Sequence, residues 1–318
     1  MGETLGHSLT SMPHYAPLPT ADQLDQLSRE LGRPTRFGQR IVGGLGGTVD
    51  VLIVGHDPGE AVVLKRYWLP QSAEISPAES EFRALALAVE HGVSAPTPIW
   101  IDRIGLFPER AIVISHVEGG VVLSPANPID WAAQLAEALV AIHQIKPASV
   151  DRDLFPVLTT TDGHQSETET LAALGRHPLG MDLWRKRLET LATLKPEAPV
   201  YVHSDFWPGN TLWVEDKLAA VLDWEGGAIA DPALDVAYCA FDMQLLGLNE
   251  AAESFVEGYR EHSGRALENL RYWELLALSR PMPDIEMWVP AWQAMGVEIS
   301  ADEARQRHAA LITAALES

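Results

Sequence analysis

The sequence is poor in cysteine, in basic residues and in long apolar runs, and each shortage excludes a class of protein. A single cysteine, Cys239, among 318 residues cannot form an internal disulfide framework. Only 23 lysines and arginines stand against 44 aspartates and glutamates, so the net charge is −21 and nucleic acid is not an expected partner. No apolar run reaches the roughly 18 residues that a membrane span needs, so no membrane partner is expected.

Zinc, iron and export signals are missing as well. Paired cysteines and the patterns His-x-x-x-His and Glu-x-x-His do not occur, which excludes the usual zinc and iron sites. The polar, proline-bearing start shows no signal-peptide pattern, so a cytoplasmic location is expected. The acidic balance would attract cationic small molecules, but solubility alone also requires a net charge away from zero. A hydrophobic content of 47% is enough for two lobes with cores of their own.

What the sequence does contain is a run of catalytic residue types. His203 to Asn210 reads His-Ser-Asp-Phe-Trp-Pro-Gly-Asn, and Asp223-Trp224-Glu225 follows a short distance later. Phosphoryl-transfer enzymes use this spacing of Asp, Asn and a second Asp for a catalytic base and two Mg²⁺ ligands. Asp205 is the candidate base that accepts or orients the proton of an attacking hydroxyl.

The residues between Asn210 and Asp223 predict a β-hairpin. Residues 211–214 and 218–222 read as strands, and 215–217 read as a polar turn. A hairpin returns the chain to its starting end, so both side chains should lie together and could hold Mg²⁺, which prefers oxygen ligands. The alternative is a surface hairpin with polar ends, because turns attract Asp and Asn anyway.

A helix start follows the hairpin. In the run Asp231-Pro232-Ala233-Leu234-Asp235, Asp231 suits the N-cap and Pro232 the first helical position. We expect Asp235 to hold the catalytic loop by hydrogen bonds.

A glycine-rich turn lies upstream, between predicted strands at 36–42 and 49–54, with a third strand at 61–65. Its glycines are Gly43, Gly44, Gly46 and Gly47. Backbone N–H groups in such a turn can approach phosphate oxygens because no Cβ atom interferes. An ordinary flexible hairpin is the alternative, since the turn lacks the Gly-Lys-Ser/Thr ending of a P-loop.

Together these motifs resemble the aminoglycoside phosphotransferase and choline kinase-like family, which has the protein-kinase-like fold. The carrying segments are residues 202–210, 221–225 and 231–235. The resemblance implies that Asp205 is the catalytic base, that Asn210 and Asp223 bind Mg²⁺, and that Glu225 assists near the metal or substrate. One departure is Ser204, which replaces the usual glycine and would carry a steric cost if that position needs a positive φ.

The resemblance also implies a fold and a domain organisation. The expected class is α+β, with a small antiparallel β-rich N-lobe and a larger, mainly helical C-lobe. Residues 1–116 would form an N-terminal extension and the nucleotide-binding lobe. Residues 117–318 would form the helical catalytic and acceptor-binding lobe.

Residues for nucleotide binding are assigned by the same resemblance. Lys65 would contact the nucleotide phosphates, and Glu81 on a helix at 77–91 would be its ion-pair partner, with Glu79 as runner-up. The backbone from Ser115 to Val117 would bind the nucleotide base.

The implied function is transfer of the γ-phosphoryl group of ATP or GTP to a hydroxyl of a small molecule. Aminoglycosides and other amine-bearing compounds are candidate acceptors, because tryptophans lie near Asp284 and Glu286 in the C-terminal third. The tryptophans are Trp273, Trp288 and Trp292, and helix packing is their alternative role.

Two rival functions use the same fold. A protein kinase is disfavoured because His-Arg-Asp, Asp-Phe-Gly and Ala-Pro-Glu elements are absent. A catalytically silent pseudokinase is supported only by Ser204, and a mere binder has no need of Asp205. The residues do not specify an oligomeric state.

Overall fold

The computed structural model of the chain describes residues 15–41, 47–70, 76–148, 151, 154–159 and 167–318. These residues form two compact units. The first contains the described residues up to Ala78 together with Pro98–His116, and the second contains Glu79–Thr97 and Val117–Ser318. The predicted lobe boundary at residue 116 stays a prediction.

The first unit is built on an antiparallel sheet. In the part of the chain that is described, helix α1 (Ala21–Leu31) precedes strands β1 (Thr35–Ile41), β2 (Gly47–Val54), β3 (Glu60–Pro70), β4 (Pro98–Ile101) and β5 (Glu109–Ser115), and the sheet order is β1-β2-β3-β5-β4. Leu27 of α1 packs with Leu52, Leu64 and Val113 in the core. The alternating apolar residues of β2 and β3 supply that buried face, as the period of two residues requires.

The second unit is mainly helical. Its helices are α2 (Pro77–Glu90, whose first two residues belong to the first unit), α3 (Pro128–His143), α4 (Glu167–Leu174), α5 (Gly180–Leu191), α6 (Ala233–Leu245), α7 (Asn249–Ser263), α8 (Leu270–Ser279), α9 (Val289–Ala294) and α10 (Ala301–Glu317). Two short antiparallel pairs accompany them: β6 (Val200–Val202) with β9 (Ala228–Ala230), and β7 (Thr211–Val214) with β8 (Lys217–Val221). These units confirm the predicted α+β class.

Several predicted boundaries differ from the observed ones for local reasons. The β7–β8 hairpin closes with two residues, Glu215 and Asp216, because Glu215 adopts a positive φ of 53° and the strands pair up to Lys217. Residues 285–294 do not form one continuous helix but a 3₁₀ turn (Ile285–Met287) followed by α9, with Pro290 in the first turn of α9, where a missing N–H costs nothing. Among the described helices, none has the length and apolarity to cross a membrane.

Candidate active site

The loop between β6 and β7 is held by one buried carboxylate. Asp235, in the first turn of α6, accepts the backbone N–H of His203 on Oδ2 and that of Ser204 on Oδ1, each at 2.8 Å. The His143 ring, on α3, lies 3.1 Å from Asp235 Oδ2. The expectation that Asp235 holds this loop by hydrogen bonds is confirmed. Asp231 accepts the Ala233 N–H at 2.9 Å just before α6, but α6 begins at Ala233 and Pro232 takes the N-cap position, one residue later than predicted.

Ser204 stands in the left-handed backbone region, with a φ of 63°. A side chain at such a φ costs free energy, which explains why glycine suits the position. The Ser204 hydroxyl donates to the Gly226 carbonyl at 2.5 Å, a bond that glycine could not form. That hydrogen bond offsets part of the backbone cost, so Ser204 is compatible with an intact loop.

Asp205 and Asn210 are joined within this loop. The Asn210 Nδ2 atom donates to Asp205 Oδ2 at 2.9 Å and to the Asp205 carbonyl at 3.0 Å. The Asn210 amide nitrogen therefore faces Asp205, and its Oδ1 is the atom available to a metal ion. The Asn210 carbonyl also accepts the Leu222 N–H at 2.8 Å, which brings the residue before Asp223 opposite Asn210.

Three carboxylates gather at the end of the hairpin. Glu81, Asp223 and Glu225 each offer an oxygen, and these oxygens lie within 4.8 Å of one another. Asp223 has a φ of 62°, and the 3₁₀ turn Trp224–Gly226 begins directly after it. These carboxylate oxygens are hard donors that fit Mg²⁺, and the Asn210 amide oxygen is of the same type.

Glu81 belongs to that cluster, which sequence reasoning did not foresee. The residue lies on α2 and is only 2% exposed. Its predicted pairing with Lys65 stays a prediction, and Glu79 is half-buried on the same helix. No sequence signal links Glu81 to Asp223, because a helix far upstream supplies it.

Arg280, just after α8, lies beside Asp205, and the sequence did not suggest this placement. Its Nη2 lies 3.3 Å from Asp205 Oδ1, and its Nη1 lies 3.4 Å from Asp242 Oδ2. The guanidinium carbon lies 4.1 Å from the ring centre of Tyr238 and 5.6 Å from that of Trp288. Burial raises the pKa of Asp242 to about 7, although Arg280 opposes the shift.

The remaining predicted residues lie in the first unit or at its border. Lys65 is on β3, is 9% exposed and has its Nζ 5.1 Å from the ring centre of Tyr67. Gly47 opens β2, where a Cβ atom would come within 2.3 Å of the Arg66 carbonyl, so close strand pairing requires glycine there. Gly43, Gly44 and Gly46 lie outside the described residues. Ser115 ends β5 opposite Val62, and Val117 begins the second segment of the second unit.

The C-terminal tryptophans divide between packing and the site. Trp273 and Trp292 are buried, as expected for helix packing, whereas Trp288 is half-buried and contacts Arg280. Glu286 pairs with Arg305 at 3.1 Å, and Asp284 is exposed.

Comparison with known proteins places the chain among phosphotransferases. The sequence model of the phosphotransferase enzyme family (APH) matches residues 43–273. No sequence among the curated proteins compared matches this chain significantly.

Solved structures share the fold at low sequence identity. A proposed aminoglycoside phosphotransferase from Ralstonia eutropha JMP134 has 15% identity and a TM-score of 0.66, with 94% of this chain and 97% of that chain covered. Macrolide 2′-phosphotransferase MphH from Brachybacterium faecium has 21% identity and a TM-score of 0.58, with coverage of 92% and 98%. Spectinomycin phosphotransferase APH(9)-Ia, in complex with ADP and spectinomycin, has 14% identity and a TM-score of 0.60, with coverage of 94% and 98%. These likenesses show the protein-kinase-like fold of this family.

Proposed function

This chain belongs to the phosphotransferase enzyme family, and from that premise we propose that it transfers the γ-phosphoryl group of ATP or GTP to a hydroxyl of a small molecule. The observation that carries the proposal is the joint placement of Asp205 and Asn210. One hydrogen bond couples the two side chains, and the loop that bears them is anchored on the Asp235 carboxylate. A loop held this firmly suits a reaction whose acceleration comes mainly from positioning and electrostatics.

Asp205 is the proposed catalytic base. Its side chain is half-buried and accepts a hydrogen bond from Asn210, which fixes the direction of the carboxylate. A fixed, accessible carboxylate can receive the acceptor hydroxyl and take its proton as the new O–P bond forms and the bond from the γ-phosphorus to the leaving nucleoside diphosphate breaks.

Asn210 and Asp223 are the proposed metal ligands, with Glu225 beside them. The carboxylate cluster and the Asn210 amide oxygen have the chemistry that Mg²⁺ requires. The charge that a bound Mg²⁺ supplies there offsets the charge of the phosphate oxygens.

Nucleotide binding is proposed for residues of the first unit together with Glu81 and Val117. Lys65 is proposed to contact the phosphates, and Glu81 is proposed to orient Lys65. The glycines of segment 43–47 would contribute backbone N–H groups to the phosphates, and the Ser115 to Val117 backbone would bind the base. ADP in the spectinomycin phosphotransferase complex supports a nucleoside triphosphate as donor.

The test is Mg²⁺-dependent transfer of labelled γ-phosphate from ATP and from GTP. Related structures suggest spectinomycin, streptomycin and hygromycin B as part of the acceptor panel. Macrolides, amino alcohols, sugars, nucleosides, hydroxy acids and peptides complete it. We expect label on a small molecule and not on a peptide.

Two matched variants accompany the assay. Asp205→Asn should abolish transfer while nucleotide binding persists, and Asp216→Asn, the same change at an exposed turn residue, should leave transfer unchanged. Nucleotide binding without transfer to any acceptor would favour the pseudokinase. Equal turnover in the Asp205 variant and the wild type would overturn the assignment of the base.

A further inference from the structure

Both oxygens of the Asp205 carboxylate have a partner. Asn210 Nδ2 donates to Oδ2 at 2.9 Å, and Arg280 Nη2 donates to Oδ1 at 3.3 Å. Donors on both oxygens define the plane of the carboxylate, because rotation about its Cβ–Cγ bond would break both contacts. The Asp205 side chain is nevertheless 44% exposed, so the remaining lone pairs of its oxygens stay within reach of an incoming hydroxyl.

Arg280 is itself held on more than one side. Its Nη1 donates to Asp242 Oδ2 at 3.4 Å, and its guanidinium carbon lies 4.1 Å from the ring centre of Tyr238 and 5.6 Å from that of Trp288. A guanidinium is a planar fork that can contact two carboxylates and an aromatic face at the same time. Arg280 therefore bridges the buried carboxylate of Asp242 and the more exposed one of Asp205.

The supports of this bridge share one helix with the anchor of the loop. Asp235, Tyr238 and Asp242 follow one another at spacings of three and four residues on α6, so they lie on the same side of that helix. Asp235 accepts two backbone N–H groups of the loop, whereas Tyr238 and Asp242 contact Arg280. One side of α6 thus holds the loop through its backbone and, by way of Arg280, through the side chain of Asp205.

Stability alone is a weak reason for this bridge. Removing Asp242 and Arg280 from water costs free energy that offsets much of their attraction, and an apolar pair of similar volume would often be equally stable. The contact with Asp205 is partly exposed and adds little stability. Control of a carboxylate is a role that an apolar pair could not perform.

We propose that Arg280 is a positioning residue, which fixes the orientation of the Asp205 carboxylate, and that Asp242 anchors Arg280. The inference rests on the phosphotransferase function proposed above and adds two residues to its site. Arg280 does not take the proton of the acceptor. It limits the directions in which Asp205 presents its remaining lone pairs, so a larger fraction of molecules has the base aligned with the hydroxyl.

Transfer to water tests the base without knowledge of the acceptor. Labelled MgATP and MgGTP release inorganic phosphate when water attacks, and Asp205→Asn shows how much of this release depends on the base. The same variants are then measured with any acceptor that the panel identifies. Arg280→Gln should lower kcat by about ten- to a hundredfold, because a small misplacement of a reacting group costs up to that factor. KM for the nucleotide should not change, because Arg280 acts on the base.

Arg265→Gln is the matched control. Arg265 is 28% exposed, close to the 23% of Arg280, and pairs with Glu197 at 2.5 Å in the same unit. The change removes a part-buried arginine from an ion pair, and kcat per folded molecule should equal that of the wild type. Arg280→Lys keeps the charge but not the planar fork, so it should restore only part of kcat. Full activity of Arg280→Lys would overturn positioning by the fork.

A double-mutant cycle tests the anchor. Asp242→Asn removes the charge that holds Arg280 and should lower kcat by a smaller factor than Arg280→Gln. In the Arg280→Gln background it should have no further effect, because Asp242 acts only through Arg280. Effects that multiply independently would overturn the assignment of Asp242 as the anchor.

The bridge also has a readout that needs no turnover. Nitrogen NMR of the labelled, intact protein resolves arginine guanidinium groups, and the signals of Arg280 are identified by their loss in Arg280→Gln. Rotation about the Cζ–Nε bond of Arg280 should be slow in the wild type, because both carboxylates hold the group. It should become faster in Asp205→Asn and in Asp242→Asn, and remain slow in Asp216→Asn.

The outcomes separate this inference from the proposed function. Unchanged kcat in Arg280→Gln, with transfer that still depends on Asp205, would overturn the inference and leave the phosphotransferase function intact. Fast rotation of the Arg280 guanidinium in the wild type, with the same dependence on Asp205, would have the same meaning. Slow rotation that Asp205→Asn and Asp242→Asn both release, in a protein that transfers phosphate to neither water nor any acceptor, would support the bridge and overturn the proposed function.

Discussion

The backbone N–H of Ser204 donates to the Asp235 carboxylate at 2.8 Å, although the two residues are 31 positions apart in the chain. This bond, together with the one from His203 to the same carboxylate, ties the start of α6 to the loop that carries Asp205. A carboxylate that accepts two buried N–H groups is costly to replace, because each donor would lose its partner in an apolar surrounding.

Asp235→Asn should therefore lower both stability and turnover. The amide nitrogen of asparagine would face one of the two N–H donors, so one buried hydrogen bond is lost, at a cost of roughly 1–3 kcal/mol. We expect a lower midpoint in urea unfolding and a lower kcat. Asp182→Asn, an exposed change in the same unit, serves as control. Unaltered stability of the Asp235 variant would contradict the anchoring role.

Ser204→Gly and Ser204→Ala separate the backbone cost from the hydrogen bond. Glycine relieves the left-handed backbone, worth about 1 kcal/mol, but loses the bond to Gly226, which is worth a similar amount. Alanine keeps the cost and loses the bond. We expect the glycine variant to match the wild type within about 1 kcal/mol, and the alanine variant to be the least stable of the three in chemical denaturation.

Gly226→Ala should be coupled to Ser204. A Cβ atom at Gly226 would lie 2.5 Å from the Ser204 Oγ, so the substitution forces that side chain to move. In the Ser204→Gly background the Ser204 hydroxyl is gone and the His203 carbonyl, at 3.2 Å, is the nearest atom, so the cost of Gly226→Ala should fall by on the order of 1 kcal/mol. A double-mutant cycle measured by unfolding checks this. Equal costs in both backgrounds would show that the two residues do not interact.

Asp223→Asn and Glu225→Gln should both weaken metal binding, and Asp223→Asn should weaken it more. Removing a charged oxygen ligand lowers affinity for a hard cation. We expect a higher Mg²⁺ concentration for half-maximal transfer, with the larger effect at Asp223. Titration with Mn²⁺, followed by electron paramagnetic resonance, reads binding without turnover. The control is Asp216→Asn. If Asp223→Asn or Glu225→Gln binds Mn²⁺ as tightly as this control, the residue substituted in that variant is not a ligand.

His308 should make stability depend on pH. The pKa of His308 is lowered to about 4, and burial is the largest cause of this shift. The hydrogen bond to the Leu278 carbonyl opposes the shift, whereas the charge of His177 adds to it. The unfolded chain takes up this proton near pH 6.5, whereas the folded chain resists it. The stabilisation is thus complete above pH 6.5 and is lost as the pH falls toward 4, by roughly 3 kcal/mol.

The measurement is urea unfolding at several pH values between 4 and 7. His308→Gln should unfold with a shallower pH dependence, because the titrating group has been removed. His262→Gln, at an exposed position on α7, should keep the wild-type dependence. The same slope in both variants would rule out His308 as its source.

Much of the fold was predictable from local patterns. The capping box of Thr20 and Gln23, which begins α1, is such a pattern, since both of its reciprocal hydrogen bonds depend only on residues three positions apart. The β7–β8 hairpin also follows from neighbouring residues, and it brings Asn210 opposite the residue before Asp223. The turn of this hairpin has two residues and was predicted with three. The difference arises because Glu215 adopts a positive φ, which the sequence did not indicate.

The sequence by itself determined the residue types of the site and their spacing along one short segment, because a hairpin and a helix start position Asp205, Asn210, Asp223 and Asp235 through local geometry. Only the tertiary structure decided which distant side chains join them. Glu81 comes from α2 and Arg280 from the end of α8, and each reaches the site through the packing of helices. The local spacing of residues and the acidic composition do not reveal these long-range contacts, because helix packing brings the side chains together.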